Sequence, residues 1–206
     1  MPEDHALDPR VAAALIEQAR DHARSELAIR QPRLYAAWGV AWLAGLGLMW
    51  LSVRGQHPYR GPAGWSVAVL AVLIVAAVAV TMITTTWATR GIGGASARQG
   101  AMYGLCWPAG FAALFIFEGA LSHAGTSATV MGIAGAAGPL LVTGLIYVAA
   151  AAIWLDRTMF ALGGWLLAVA AAAGWAGPVG ALAVGALAGG GGFLAAAAFL
   201  TGKKPG

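Results

Sequence analysis

Residues 65–87 read WSVAVLAVLIVAAVAVTMITTTW, a run without one charged side chain. Wound as an α-helix it is roughly 34 Å long, enough to cross the ~30 Å hydrocarbon core of a bilayer. Five further apolar segments flank it, at Leu34–Val53, Gln99–Leu121, Val130–Leu155, Met159–Trp175 and Pro178–Leu200. Only short polar stretches separate them, which leaves no room for an extramembrane domain. Of the 206 residues, 60% are hydrophobic and 10% charged, against roughly 45–50% and 25% in ordinary soluble domains. The expected fold is therefore an all-α integral membrane protein, an N-terminal amphipathic helix followed by about six transmembrane helices. It divides into a cytoplasmic arm at residues 1–32 and a transmembrane domain at residues 33–206.

The arm reads as a helix from Asp8 to Gln31. Asp8 suits an N-cap, Pro9 suits the first turn, and Pro32 is expected to end the helix. Val11, Leu15 and Ile16 form its apolar face, while charges of both signs occupy the rest. That pattern fits an elbow lying on the membrane surface, or equally a short soluble contact helix. No cleavable leader is visible ahead of the first span.

Basic residues set orientation, because cytoplasmic loops carry an excess of Lys and Arg. Under six spans, ten of the twelve fall on one side, namely Arg10, Arg20, Arg24, Arg30, Arg33, Arg90, Arg98, Arg157, Lys203 and Lys204. Arg54 and Arg60 fall on the other. Both chain ends are accordingly expected in the cytoplasm, with the bundle in a bacterial-type plasma (inner) membrane. Tyr35, Trp87 and Trp154 are expected at the inner boundary, and Trp50, Tyr59, Trp65 and Trp175 at the outer one. The basic residues set topology in this reading, and no nucleic-acid partner is expected.

Ionisable groups are nearly absent from the spans, although proton relays and ion-coupled transporters need them there. Glu118 is the only carboxylate well inside one. Tyr103, Trp107, Phe111, Leu114, Phe115 and Glu118 recur at three- and four-residue spacing, which places them along one side of the third span. Ring faces leading to a carboxylate fit a binding path for an organic cation. Tyr103, Trp107, Phe111, Phe115 and Glu118 are thus the candidate substrate-binding residues; the same stripe also reads as a lipid-facing or packed aromatic face.

Other motifs carry less. Glu118, His57 and His123 have the donor types of a Zn²⁺ site, but their spacing enforces nothing, and no metal or cofactor is expected. Arg90-Gly91-Ile92-Gly93-Gly94 has neither the lysine nor the preceding strand of a phosphate loop. Thr81, Thr84, Thr85 and Thr86 fit hydroxyls bonding back to the preceding helical turn. Ala37, Ala41 and Gly45, with Gly185 and Gly189, form small-residue strips for close helix packing. The two halves share no convincing sequence similarity; Pro108-Ala109-Gly110 and the run Gly189 to Gly192 fall at matching places in them, and read either as interruptions of the kind seen in inverted-repeat transporters or as close-packed glycine faces with one ordinary proline kink. No catalytic motif is present, so an enzyme is not expected.

On layout, an elbow helix followed by six spans, the chain resembles the permease subunits of ABC-2 type exporters. In size and in the small-residue strip on the first span it is also similar to the substrate-binding subunits of energy-coupling-factor vitamin importers. Either resemblance implies a transport-related, permease-like subunit in the lipid bilayer, energised by a partner ATPase or another membrane subunit. The competing expectation is a membrane scaffold or sensor whose arm binds a cytosolic protein.

Overall fold

A computed structural model describes the backbone of residues 9–88 and 95–202. Every regular element in it is helical: α1 (Pro9–Val53), α2 (Gly64–Ala88), α3 (Ala95–His123), α4 (Ala128–Trp154), α5 (Arg157–Trp175), α6 (Gly177–Val184), a π-helical turn (Gly185–Gly190) and α7 (Gly191–Gly202). Six helical stretches are long and apolar enough to cross a membrane, the last of them running without a break through α6, the π-turn and α7. They agree with the six expected spans to within a few residues, and the chain is a multi-pass membrane protein.

Pro32 does not end the first helix, which continues through it as one 45-residue element. An interior proline removes one backbone hydrogen bond and crowds the preceding turn, at about 3 kcal/mol. The turn survives because both sides of the proline are held. The Gln31 amide donates to Asp156 Oδ2 at 3.0 Å and to the Tyr35 hydroxyl at 3.4 Å, and Tyr35 itself is buried. Tyr35 is thus a core residue. The arm's apolar face, apart from the half-exposed Val11, lies outside the described side chains.

In the third span α3 is unbroken through Pro108, which leaves the reading as an interrupted helix without support there. The last span does change pitch, but at Gly185–Gly190 rather than at Gly189–Gly192, and by one wide turn rather than by unwinding. The two halves therefore share no matching break. Glycine is required at that turn because α1 comes very close: a Cβ on Gly190 would lie 2.6 Å from the Leu43 backbone nitrogen. On the other side Gly189 receives the Leu140 side chain of α4. With no hydrophobic force between helices in lipid, such contacts are what hold a bundle together.

The packing has a clear centre and edge. The last span touches α1, α4 and α5, and α4 and α5 pack on each other along most of their length. Tyr35, Trp42, Tyr147 and Phe193 close the middle of this core with ring contacts at 5.6–6.3 Å. By contrast, among the described residues α2 rests on α1 alone, α3 rests on α4 alone, and α2 and α3 do not touch.

Candidate functional site

The candidate residues lie on the side of α3 that faces α4. Tyr103 meets Trp154 edge-on at 4.8 Å, and Trp107 meets Tyr147 edge-on at 5.6 Å. Along α3 the rings follow one another, Tyr103 to Trp107 at 6.1 Å, Trp107 to Phe111 at 6.4 Å and Phe111 to Phe115 at 5.9 Å. Edge-on and offset pairs of this kind each add about 0.5–1.5 kcal/mol beyond simple burial. Tyr103, Trp107 and Phe111 are half-buried in the seam, while Phe115 is exposed. The stripe is therefore a packed face over its first three rings and an open one at the fourth.

One turn beyond, the seam admits Glu118 because α4 offers a glycine there. A Cβ on Gly138 would lie 2.8 Å from Leu114 Cδ1 and 3.1 Å from Glu118 Oε1. Glu118 Oε1 is shielded from solvent and has no hydrogen-bond partner. A carboxylate oxygen in that state is costly when charged, and either a proton or an arriving cation relieves it. Five candidate residues thus share one seam, but only the four rings touch one another.

Of the partners of that stripe, the sequence reading singles out Trp154 only as a boundary anchor and does not single out Tyr147. Their seven-residue spacing on α4 matches two helical turns and is the signal that could have found them. Gly138 carried no signal of its own.

Other expected features resolve separately. His57 and His123 are exposed, and no group of three or more metal-ligating side chains assembles among the described residues. The Glu118 oxygen turns into the α3–α4 seam instead of toward those histidines. Thr81, Thr84, Thr85 and Thr86 bond back to the carbonyls four residues earlier at 2.6–2.8 Å, as their crowding at a helix end suggested. Thr81 does more, for its Oγ1 also accepts the Trp38 indole N–H at 3.0 Å and ties α2 to α1. Of the first small-residue strip, Ala41 is buried in the core and Gly45 admits Leu70 of α2 into the space where its side chain would be. The glycine-rich stretch Arg90–Gly94 lies outside the described residues.

At the opposite end of α1, the loop to α2 is closely bonded. Gln56 accepts from the Arg60 amide at 2.9 Å and donates to the Gly61 carbonyl at 3.0 Å, and Ser52 accepts from the Ala63 amide at 3.2 Å. Tyr59 from this loop lies over Gly132 near the start of α4, where burial raises its phenol above the ordinary value. No protein-family model, curated protein or solved structure matches the chain, so its functional reading rests on the geometry of its own residues.

Proposed function

We propose that the chain is a permease-like subunit of a transport system, and that it receives a lipophilic or organic cation in the seam between α3 and α4. The observation that carries this reading is Glu118 Oε1, shielded and without a donor, on a helix that among the described residues rests on a single neighbour. A cationic ligand entering there supplies the missing partner, and the rings of Trp107, Phe111 and Phe115 offer their faces to it. Because among the described residues α3 docks on α4 alone, opening the seam breaks no other helix contact described there. Glu118 is a solitary intramembrane carboxylate, and no nucleotide-binding motif is present, so the energy comes from a partner ATPase or other membrane subunit. The subunit itself catalyses no covalent chemistry.

The cytoplasm holds both chain ends in this proposal, and the membrane is a bacterial-type plasma membrane. An impermeant thiol reagent applied to intact cells should then label a cysteine at Gly55 and spare one at Gly94, in a Cys106→Ser background. The reverse pattern overturns the orientation.

Binding of tetraphenylphosphonium to the purified protein tests the site. Glu118→Gln keeps the shape and removes the charge, and should weaken binding by about 1–2 kcal/mol, roughly 5- to 30-fold in Kd. Trp107→Ala should weaken it as well. Equal affinity in wild type and both variants, on protein that melts normally, overturns the cation site.

A second reading has its own observation. The continuity of α1 through Pro32 joins the arm to the first span as one helix, so a displacement of the arm can pass into the bundle. That geometry favours a scaffold or sensor whose arm engages a cytosolic protein. It is the better reading if tetraphenylphosphonium fails to bind while truncation of residues 1–30 abolishes capture of a cytosolic protein.

A further inference from the structure

A groove of about 510 Å³ runs along the outside of the bundle between α5 and α7. Its floor is made of small residues, Gly192 and Ala195 among them, and its sides are Trp165 and Phe199, both about half exposed. The Trp165 ring is fixed: its indole N–H donates to the Ala188 carbonyl in the π-turn at 2.9 Å. Gly192 makes room for it, since a Cβ there would lie 2.5 Å from Trp165 Nε1. The wall is therefore held from two sides, by the π-turn carbonyl and by the glycine of α7.

One end of the groove is polar, where Arg157 and Thr158 open α5. Asp156, the adjacent carboxylate, has both oxygens engaged, Oδ1 by the Met159 amide at 2.9 Å and Oδ2 by the Gln31 amide at 3.0 Å. Arg157 is an exposed residue of the groove lining. An apolar trough at membrane depth that ends in a planar cation matches one kind of molecule in a bilayer, a lipid with a hydrocarbon chain and an anionic head.

We propose that the α5–α7 groove is a binding site for an anionic glycerophospholipid. One acyl chain lies along the floor between Trp165 and Phe199, and the phosphate rests on the Arg157 guanidinium and the Thr158 hydroxyl. Charge complementarity selects this occupant, because a zwitterionic lipid offers the same chain but no net charge to the arginine. The inference depends on the membrane-spanning character of the helices and stands apart from the cation seam, which lies between α3 and α4.

The test uses the full chain reconstituted in nanodiscs with a phosphatidylglycerol that carries a photoreactive acyl chain, and the labelled residues are mapped by mass spectrometry. Label should concentrate on residues 161–165 and 192–199, and unlabelled phosphatidylglycerol should compete better than phosphatidylethanolamine. Arg157→Gln should cut the labelling about fivefold and erase the preference between the two lipids. Ala195→Phe fills the trough from its exposed side and should remove the label while the protein still melts normally. Label spread evenly over the exposed faces of α2 and α3, equal competition by both lipids, or unchanged labelling in Arg157→Gln would each overturn the proposal.

Discussion

α2 and α3 occupy similar places at the edge of the bundle, yet they are attached by different means. Only 6% of the apolar window of α2 is buried and none of that of α3, so burial does not distinguish them. Polar links do. α2 is tied to α1 by the Trp38–Thr81 hydrogen bond near one end, and at the other by Ser66, a fully buried side chain 3.3 Å from the Ser52 hydroxyl. Leu70 fills the space left by Gly45 between these ties. α3 leans on α4 through ring contacts, and among the described residues no side-chain hydrogen bond joins it to another helix. Dispersion resists separation over a short range and imposes little geometry, whereas an interhelical hydrogen bond fixes register. The contrast makes α2 part of the frame and α3 the element free to move.

The largest expected effect comes from locking each helix in turn, in a Cys106→Ser background. Gly110 and Val142 face each other across the α3–α4 seam, with a Cβ on Gly110 placed 3.1 Å from Val142 Cγ1. Gly45 and Leu70 face each other across α1 and α2, at 3.2 Å from Cβ to Cβ. Both pairs are close enough for a disulfide after small adjustment. Oxidising Gly110→Cys/Val142→Cys should lower tetraphenylphosphonium affinity by about tenfold or more, the 1.4 kcal/mol scale of one good contact, and reduction should restore it. Oxidising Gly45→Cys/Leu70→Cys should leave affinity within about twofold, under half a kcal/mol. If the two cross-links act alike, α3 is no more mobile than α2 and the seam is not the entrance.

Much of this contrast was hidden in the sequence for a definite reason. The spans were legible because hydrocarbon demands about 20 apolar residues in a row, and that constraint is local. The stripe on α3 was legible because three- and four-residue spacing alone fixes a shared face. Which helix that face meets is not local, since Tyr147 and Trp154 lie far along the chain from Trp107 and Tyr103. Pro32 misled because its local preference was outweighed by Gln31 reaching across to Asp156, a bond between residues 125 apart. In the last span the glycine run indicated an irregularity, but the close approach of α1 at Leu43 decides where it falls. The small-residue rule identified where helices could approach and left open which one would.

The smallest effect concerns the polar tie that fixes α2. Trp38→Phe keeps an aromatic ring between α1 and α2 and removes only the indole N–H. Thr81 keeps its own bond to the Ala77 carbonyl at 2.8 Å, so no hydroxyl proton is left without an acceptor. The loss is then the net value of one interhelical hydrogen bond, about 0.6 kcal/mol on average and no more than about 1.7 kcal/mol in bundles of this kind. Reversible unfolding in mixed micelles resolves a change of that size. Cross-linking should resolve its direction, because α2 freed at this end gains slack against α1 while α3 is unaffected. A Trp38→Phe protein with unchanged stability and an unchanged rate of Gly45→Cys/Leu70→Cys disulfide formation would show that Leu70 against Gly45 suffices to hold α2. The difference between the two edge helices would then rest on packing alone.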